Sequence, residues 1–147
     1  MRTATPGQPG CSASGSSASG AIQTFTATYY DAGGPSDILE TDLLFNTKTS
    51  SGPSACQVSW SSLGFYLVSD SGYSLLGPLP GGSSRTLQNS QCILQPASVT
   101  AVLNGNTLTL NLTLTFKSGF AGARNVYAEV MNATHDSGWS LMGTWNP

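Results

Sequence analysis

The sequence predicts an all-β chain, an antiparallel two-sheet β-sandwich, and three observations carry that prediction. In NTLTLNLTLTF every second residue from Leu108 to Phe116 is large and apolar (Leu108, Leu110, Leu112, Leu114, Phe116). A period of two sends alternate side chains to opposite faces of an extended strand, so one face goes into a core and the Thr/Asn face meets water. Asn104-Gly105 precedes this run, and both central residues of a type I′ turn need positive φ, so residues 98–103 pair back onto it as a hairpin. Finally, no ten-residue segment carries an i, i+3, i+4, i+7 apolar stripe, whereas short runs bounded by turn residues recur along the chain.

The elements follow in order. Residues 1–20 hold four Gly, two Pro and five Ser without apolar periodicity, and read as a linker or leading segment; the domain proper spans 21–147. Residues 22–30 (IQTFTATYY) form a strand with Phe25, Ala27 and Tyr29 on one face, and 31–36 (DAGGPS) a turn. In 37–46 (DILETDLLFN) the alternation puts Leu39, Thr41, Leu43 and Phe45 on one face and Glu40, Asp42 and Leu44 on the other. After a loop over 48–54 come strands at 55–60 and 64–68, a turn at Asp70-Ser71-Gly72, and a strand at 73–76. Residues 77–84 (GPLPGGSS) read as a connection, because proline cannot donate to a central ladder. A strand over 86–94, the Asn-Gly hairpin, a corner at 118–123 and closing strands at 124–132 and 138–145 complete about nine strands. Such a count suits a sandwich, with a barrel as the alternative.

Composition bounds the function. At 147 residues the chain suits one domain plus a tail. Charged residues make up 8%, against roughly a quarter in ordinary domains. The 22 Ser and 16 Thr supply polarity instead, a balance common in bacterial extracellular modules. A net charge of −2 with five basic residues leaves no basic patch, so nucleic acid is not an expected partner. No apolar run approaches the roughly 20 residues that span a bilayer, so membrane insertion is not expected either. MRTATPGQPGC lacks the apolar core of a signal peptide; an exported chain would take its signal from outside this sequence. Cys56 and Cys92 sit in strand-like contexts (CQVSW and SQCIL) and are expected to pair, leaving Cys11 in its Gly/Ser/Pro stretch as a thiol able to bridge two chains.

The order of TFTATYYDAGGPSD, LLFNT, GPLPGGSSRTLQNSQC, NTLTLNLTLTFKSGFAGARNVYAEV and SGWSLMGTW resembles an immunoglobulin-like β-sandwich module that recurs, often in tandem, in large secreted or surface proteins of soil bacteria. The resemblance covers roughly residues 14–147. It implies an immunoglobulin-like fold, an extracellular or cell-surface setting and a pairing of the cysteines at 56 and 92. It supplies no counterpart for Cys11 and no catalytic residues. Gln57-Val58-Ser59-Trp60 stands where relatives are richer in tyrosine.

Few residues carry chemistry. His135 is the only histidine, and His135-Asp136-Ser137 reads as a turn, because a catalytic triad meets across a fold and not by sequence adjacency. Glu40 and Asp42 share a strand face about 7 Å apart, a spacing that paired glycosidase carboxylates tolerate. Asp31 and Asp37 bracket a polar loop with Asp42 nearby, which makes calcium the one cofactor the sequence leaves room for; turn capping by the same aspartates is the simpler reading. Trp60, Tyr66, Tyr73 and Trp139 are the aromatics that an outward sugar-binding row would use, although a sandwich buries at least one tryptophan. The expected function is a non-catalytic module acting as spacer, adhesion or self-assembly unit, with neighbouring modules or other surface proteins as partners. The alternative is a carbohydrate-binding module with polysaccharide as partner.

Overall fold

The computed structural model describes residues 10–13, 22–31, 34, 38–47, 49, 55–72, 74–102, 107–120, 123–132 and 136–145, with the backbone alone for 10–13 and 97–102. Among the described residues eleven strands run in chain order: β1 (Gly10–Ala13), β2 (Ile22–Tyr30), β3 (Ile38–Asn46), β4 (Cys56–Ser61), β5 (Gly64–Val68), β6 (Leu75–Leu79), β7 (Leu87–Gln88), β8 (Cys92–Val102), β9 (Thr107–Phe116), β10 (Arg124–Asn132) and β11 (Ser140–Trp145). One sheet has the order β1-β2-β9-β8-β7 and the other β11-β10-β3-β4-β5-β6. Every pairing is antiparallel. The two sheets, one of five strands and one of six, face each other as an all-β antiparallel sandwich.

The alternation along β9 does what its residues dictate. Leu108, Leu110, Leu112, Leu114 and Phe116 are all at most 4% exposed. The hairpin register pairs Val102 with Thr107, which puts 104–105 at its tip; the tip itself lies outside the described residues. Opposite β9 across the sandwich stand Leu43 and Phe45 of β3, Val58 of β4, Phe65 and Leu67 of β5, and Val126, Ala128 and Val130 of β10. Aromatic rings concentrate at one end, with Phe25 edge-on to Phe45 at 4.9 Å and to Trp145 at 5.3 Å, and Phe45 at 5.2 Å from Phe116. Such edge contacts suit ring quadrupoles and add to simple burial. Of the adjacent pair, Tyr29 is buried and Tyr30 faces out.

At that same end the sheets are pinned. Cys56, first residue of β4, and Cys92, first residue of β8, form a disulfide with a Cα–Cα distance of 6.0 Å. Beside it Asn89 is a second pin. Its Nδ2 donates to the Val68 carbonyl (3.0 Å) in the other sheet, while its Oδ1 accepts from the Gln91 and Cys92 backbone amides. Ser90 donates twice to Asp70 Oδ1, and these two donors hold the Asp70 carboxyl below the usual range. The run Asn89-Ser90-Gln91-Cys92 is thus a clasp, and the end that carries it is called here the clasp end. At the far end, Asn132 Nδ2 donates to buried Asp31 at 2.9 Å.

Three sequence expectations need correction. Leu39 does not share the core face with Thr41, Leu43 and Phe45, because β10 pairs Met131 with Glu40 and Asn132 with Ile38, skipping Leu39. That bulge turns Leu39 outward at 54% exposure and puts Ile38 in the core. Residues 77–79 continue a strand instead of a connection: β6 accommodates Gly77 and Pro78 because it is the edge of its sheet, where a missing donor costs no ladder bond. Within the leading segment, Gly10–Ala13 adds an edge strand to β2. Two glycines are obligatory for shape; at Gly77, φ 108°, a Cβ would meet the Phe65 carbonyl oxygen at 2.7 Å. Gly64 sits at φ 135°, and a Cβ there would meet the Leu79 carbonyl oxygen at 2.6 Å.

Leu112→Ala, which empties the centre of β9, is expected to cost about 2–5 kcal/mol in denaturant unfolding; a loss under about 1 kcal/mol would contradict the packing. Replacing Cys56 and Cys92 together by alanine removes a 36-residue closure, expected to lower stability by about 4 kcal/mol on the loop-entropy model. Thermal melts of the oxidised and variant proteins check it.

Candidate functional site

The two solvent faces of the sandwich differ in chemistry. On the five-stranded sheet, β2 presents Thr24, Thr26 and Thr28 against Thr113, Asn111 and Thr109 of β9. Thr24 and Thr113 hydroxyls share a bond of 3.0 Å, and Thr26 donates to Asn111 Oδ1 at 2.6 Å. Neither strand contains a charged residue. This face is a neutral hydroxyl array.

The six-stranded sheet presents the opposite case. Alternation in RNVYAEVMN sends Val126, Ala128 and Val130 inward, so Tyr127, Glu129 and Met131 face out. The register sets Asp42 beside Glu129 and Glu40 beside Met131, and an isolated bridge brings Asp136 to Met131. Four of the chain's seven carboxyl side chains therefore meet on one patch. Burial pushes Asp42 up to about 8, aided by its hydrogen bond to Glu40 and the Glu40 charge, while Gln57 and Ser59 pull the other way. Glu129 rises to about 7 through burial, then through its hydrogen bond to Asp136 and the charges of Asp136 and Glu40. Two of the described cations are engaged elsewhere: Lys117 donates to Gln88, and Arg124 lies over the Phe120 ring at 4.4 Å.

A carboxyl that keeps its proton near neutrality has the property a general acid needs. Asp42, however, is 3% exposed, with its carboxyl spent on Glu40, Gln57 and Ser59. Its proton is not presented at the surface. Among the turn residues of the His135-Asp136-Ser137 run, Ser137 Oγ accepts from Val130 N and donates to the Gly138 carbonyl, and Asp136 accepts from Gly138 N. His135 lies outside the described residues.

The aspartates of the calcium reading are placed apart. Asp31 is fully buried against Asn132, which pairs with Ile38; Asp42 stands four residues further along β3, roughly 13 Å at strand rise. Asp37 lies outside the described residues. Among the described residues, no three His, Cys, Asp or Glu side chains are grouped to hold a metal ion.

The aromatic set divides as well. Trp60 pairs with Thr41 and Phe65 and packs partly against the core. Tyr66, opposite Ser59, lies on the outer face with Asp42. The two therefore point to opposite sides of the sheet. Trp139 is partly buried ahead of β11, Trp145 is in the core, and Tyr73 lies outside the described residues. The sequence reading missed Tyr127, whose outward position was legible from the alternation of β10. It sits beside Leu44 and Leu141, and its hydroxyl accepts from Asn125 Nδ2 at 3.0 Å. Leu141 is 60% exposed. Cys11 lies opposite Ala27 in the β1–β2 ladder.

No protein-family model matches this sequence, and no curated protein is significantly similar to it. Among the described residues no helix is long and apolar enough to cross a membrane.

The carboxyl patch has a consequence for stability. Asp42 and Glu129 hold protons more tightly folded than unfolded, so their contribution is fully present below the unfolded values of 3.8 and 4.5 and is lost as pH rises toward about 8 and about 7. The melting temperature is therefore expected to fall between about pH 4 and about pH 8, and Asp42→Asn to flatten that fall. Scanning calorimetry across this range checks both; a melting temperature that rises with pH would contradict the assignment.

Proposed function

We propose that this chain is a non-catalytic immunoglobulin-like module of a secreted or cell-surface bacterial protein, working by contact as spacer, adhesion or self-assembly unit. The observation that supports contact is the outer face of the six-stranded sheet. Burial, helped by the neighbouring carboxyls, raises Asp42 and Glu129 and so lowers the charge those two carry near neutrality, and exposed Leu141 with Tyr66 and Tyr127 stands around them. A face of low charge with aromatic and apolar side chains loses little on desolvation against a partner surface. The extracellular setting is supported by Cys56–Cys92, since disulfides persist in oxidising compartments. Cys11, on an edge strand, supplies a thiol for linking neighbouring modules.

A second reading, polysaccharide binding, draws on the same face. Tyr66 flanks Ser59, Gln57 and Asp42, and an aromatic plane beside amide, hydroxyl and carboxyl groups suits a sugar ring.

Sedimentation of the protein with and without reductant, beside a glycan array and a panel of polysaccharide and ester substrates, separates the readings. Contact predicts concentration-dependent association, a reductant-sensitive dimer lost in Cys11→Ser, and no turnover. Glycan retention that Tyr66→Ala abolishes would favour the second reading. Turnover abolished by Glu129→Gln or His135→Ala would overturn both.

A further inference from the structure

Strand direction fixes how tension would act on this domain. β1 begins toward the far end, with Gly10 opposite Thr28 and Ala13 opposite Phe25. β11 finishes at the clasp end, where Trp145 lies opposite Arg124 and its ring meets Phe25. The backbone thus comes into one sheet at one end and leaves the other sheet at the opposite end. Tension between the residues before β1 and those after β11 runs along both edge strands. Antiparallel ladder bonds lie perpendicular to their strands. Sliding β1 along β2 therefore loads all four residue pairs together, which is shear.

Bypassing β1 inverts the geometry. β2 begins at the clasp end, with Ile22 opposite Thr115, the same end at which Trp145 leaves. Load through Ile22 and Trp145 would then pull β2 and β11 away from one end, opening their ladders one pair at a time. A four-residue edge strand decides which of these two loads the domain meets.

We propose that β1 is a mechanical clamp that makes this domain a load-bearing link within a longer extracellular chain, and that Cys56–Cys92 limits its extension. The proposal deepens the spacer reading and rests on it. The disulfide encloses β4, β5, β6 and β7 within a 36-residue loop. Even when every strand outside that loop has been drawn out, the loop itself cannot lengthen. Resistance to force follows the unfolding barrier and not the equilibrium stability. The clamp therefore adds to unfolding force while adding little to the melting temperature.

Single-molecule force spectroscopy on the oxidised full chain tests this in two pulling geometries. One pulls through the two termini; the other pulls through residue 22 and the C-terminus, using Ile22→Cys in a Cys11→Ser background. Ile22 is 67% exposed, so it accepts a tether. The unfolding force through the termini is expected to be several times that through residue 22. Cys11→Pro with Ser12→Pro removes at least one donor to β2, because successive strand residues aim their N–H groups to opposite sides. That double variant is expected to lose the excess force while its melting temperature stays nearly unchanged. Reductant present during the pull is expected to add a further extension of roughly 120 Å, the span of 36 extended residues.

Equal forces in the two geometries would overturn the clamp, whether or not the proline variant folds. An extension that reductant leaves unchanged would overturn the limiter. Either failure leaves the contact reading standing. Substrate turnover would overturn that reading without altering the measured forces.

Discussion

Two sheets that are apolar on one side only can pack in many relative positions, and what selects one here is the pin at the clasp end. Cys56 opens β4 and Cys92 opens β8, so their bond sets two strand starts level with each other across the sandwich. Because β3 lies beside β4 and β9 beside β8, Phe45 and Phe116 are brought within 5.2 Å as a consequence. Phe25 and Trp145 then close the cluster from the neighbouring strands. Asn89 extends the pin with a hydrogen bond from one sheet into the other, and being buried it could not be left without partners.

With the interior settled at that end, the outer faces are free of structural duty and diverge. The hydroxyl face of β2 and β9 costs the fold nothing: threonine favours strands, and its cross-strand bonds are local. The carboxyl face does cost something. Placing Asp42 and Glu129 side by side with Glu40 and Asp136 puts like groups together, with Asp42 buried and Glu129 partly so. A chain that uses charge as sparingly as this one had no compositional pressure to gather most of its carboxyls at one place. Local rules that a fold breaks at its own expense are where function is usually sought. This is why the outer face of the six-stranded sheet carries the contact reading.

Parts of that face could be seen in the primary structure. The Glu40/Asp42 spacing was plain, and the alternation that hid Val126, Ala128 and Val130 also exposed Tyr127 and Glu129. What could not be seen was the pairing of β3 with β10, strands more than eighty positions apart in sequence, which alone makes Asp42 and Glu129 neighbours. The same limit explains the aspartates: Asp31 and Asp42 are close along the chain, yet strand rise separates them, and Asp31 is claimed by Asn132 from the far strand.

By itself the sequence determined the local geometry: an all-β chain, the inward face of β9, the hairpin before it, and the shared face of Phe25, Ala27 and Tyr29. Each of these rests on period-two alternation or turn chemistry, which operate over a few residues. Tertiary structure alone decided the outward turn of Leu39, the edge position that tolerates Pro78, the strand β1 drawn from a Gly/Ser lead, and the meeting of the four carboxyl groups. These depend on which strand lies beside which and in what register. Register is set by the simultaneous packing of both sheets, which no single segment encodes.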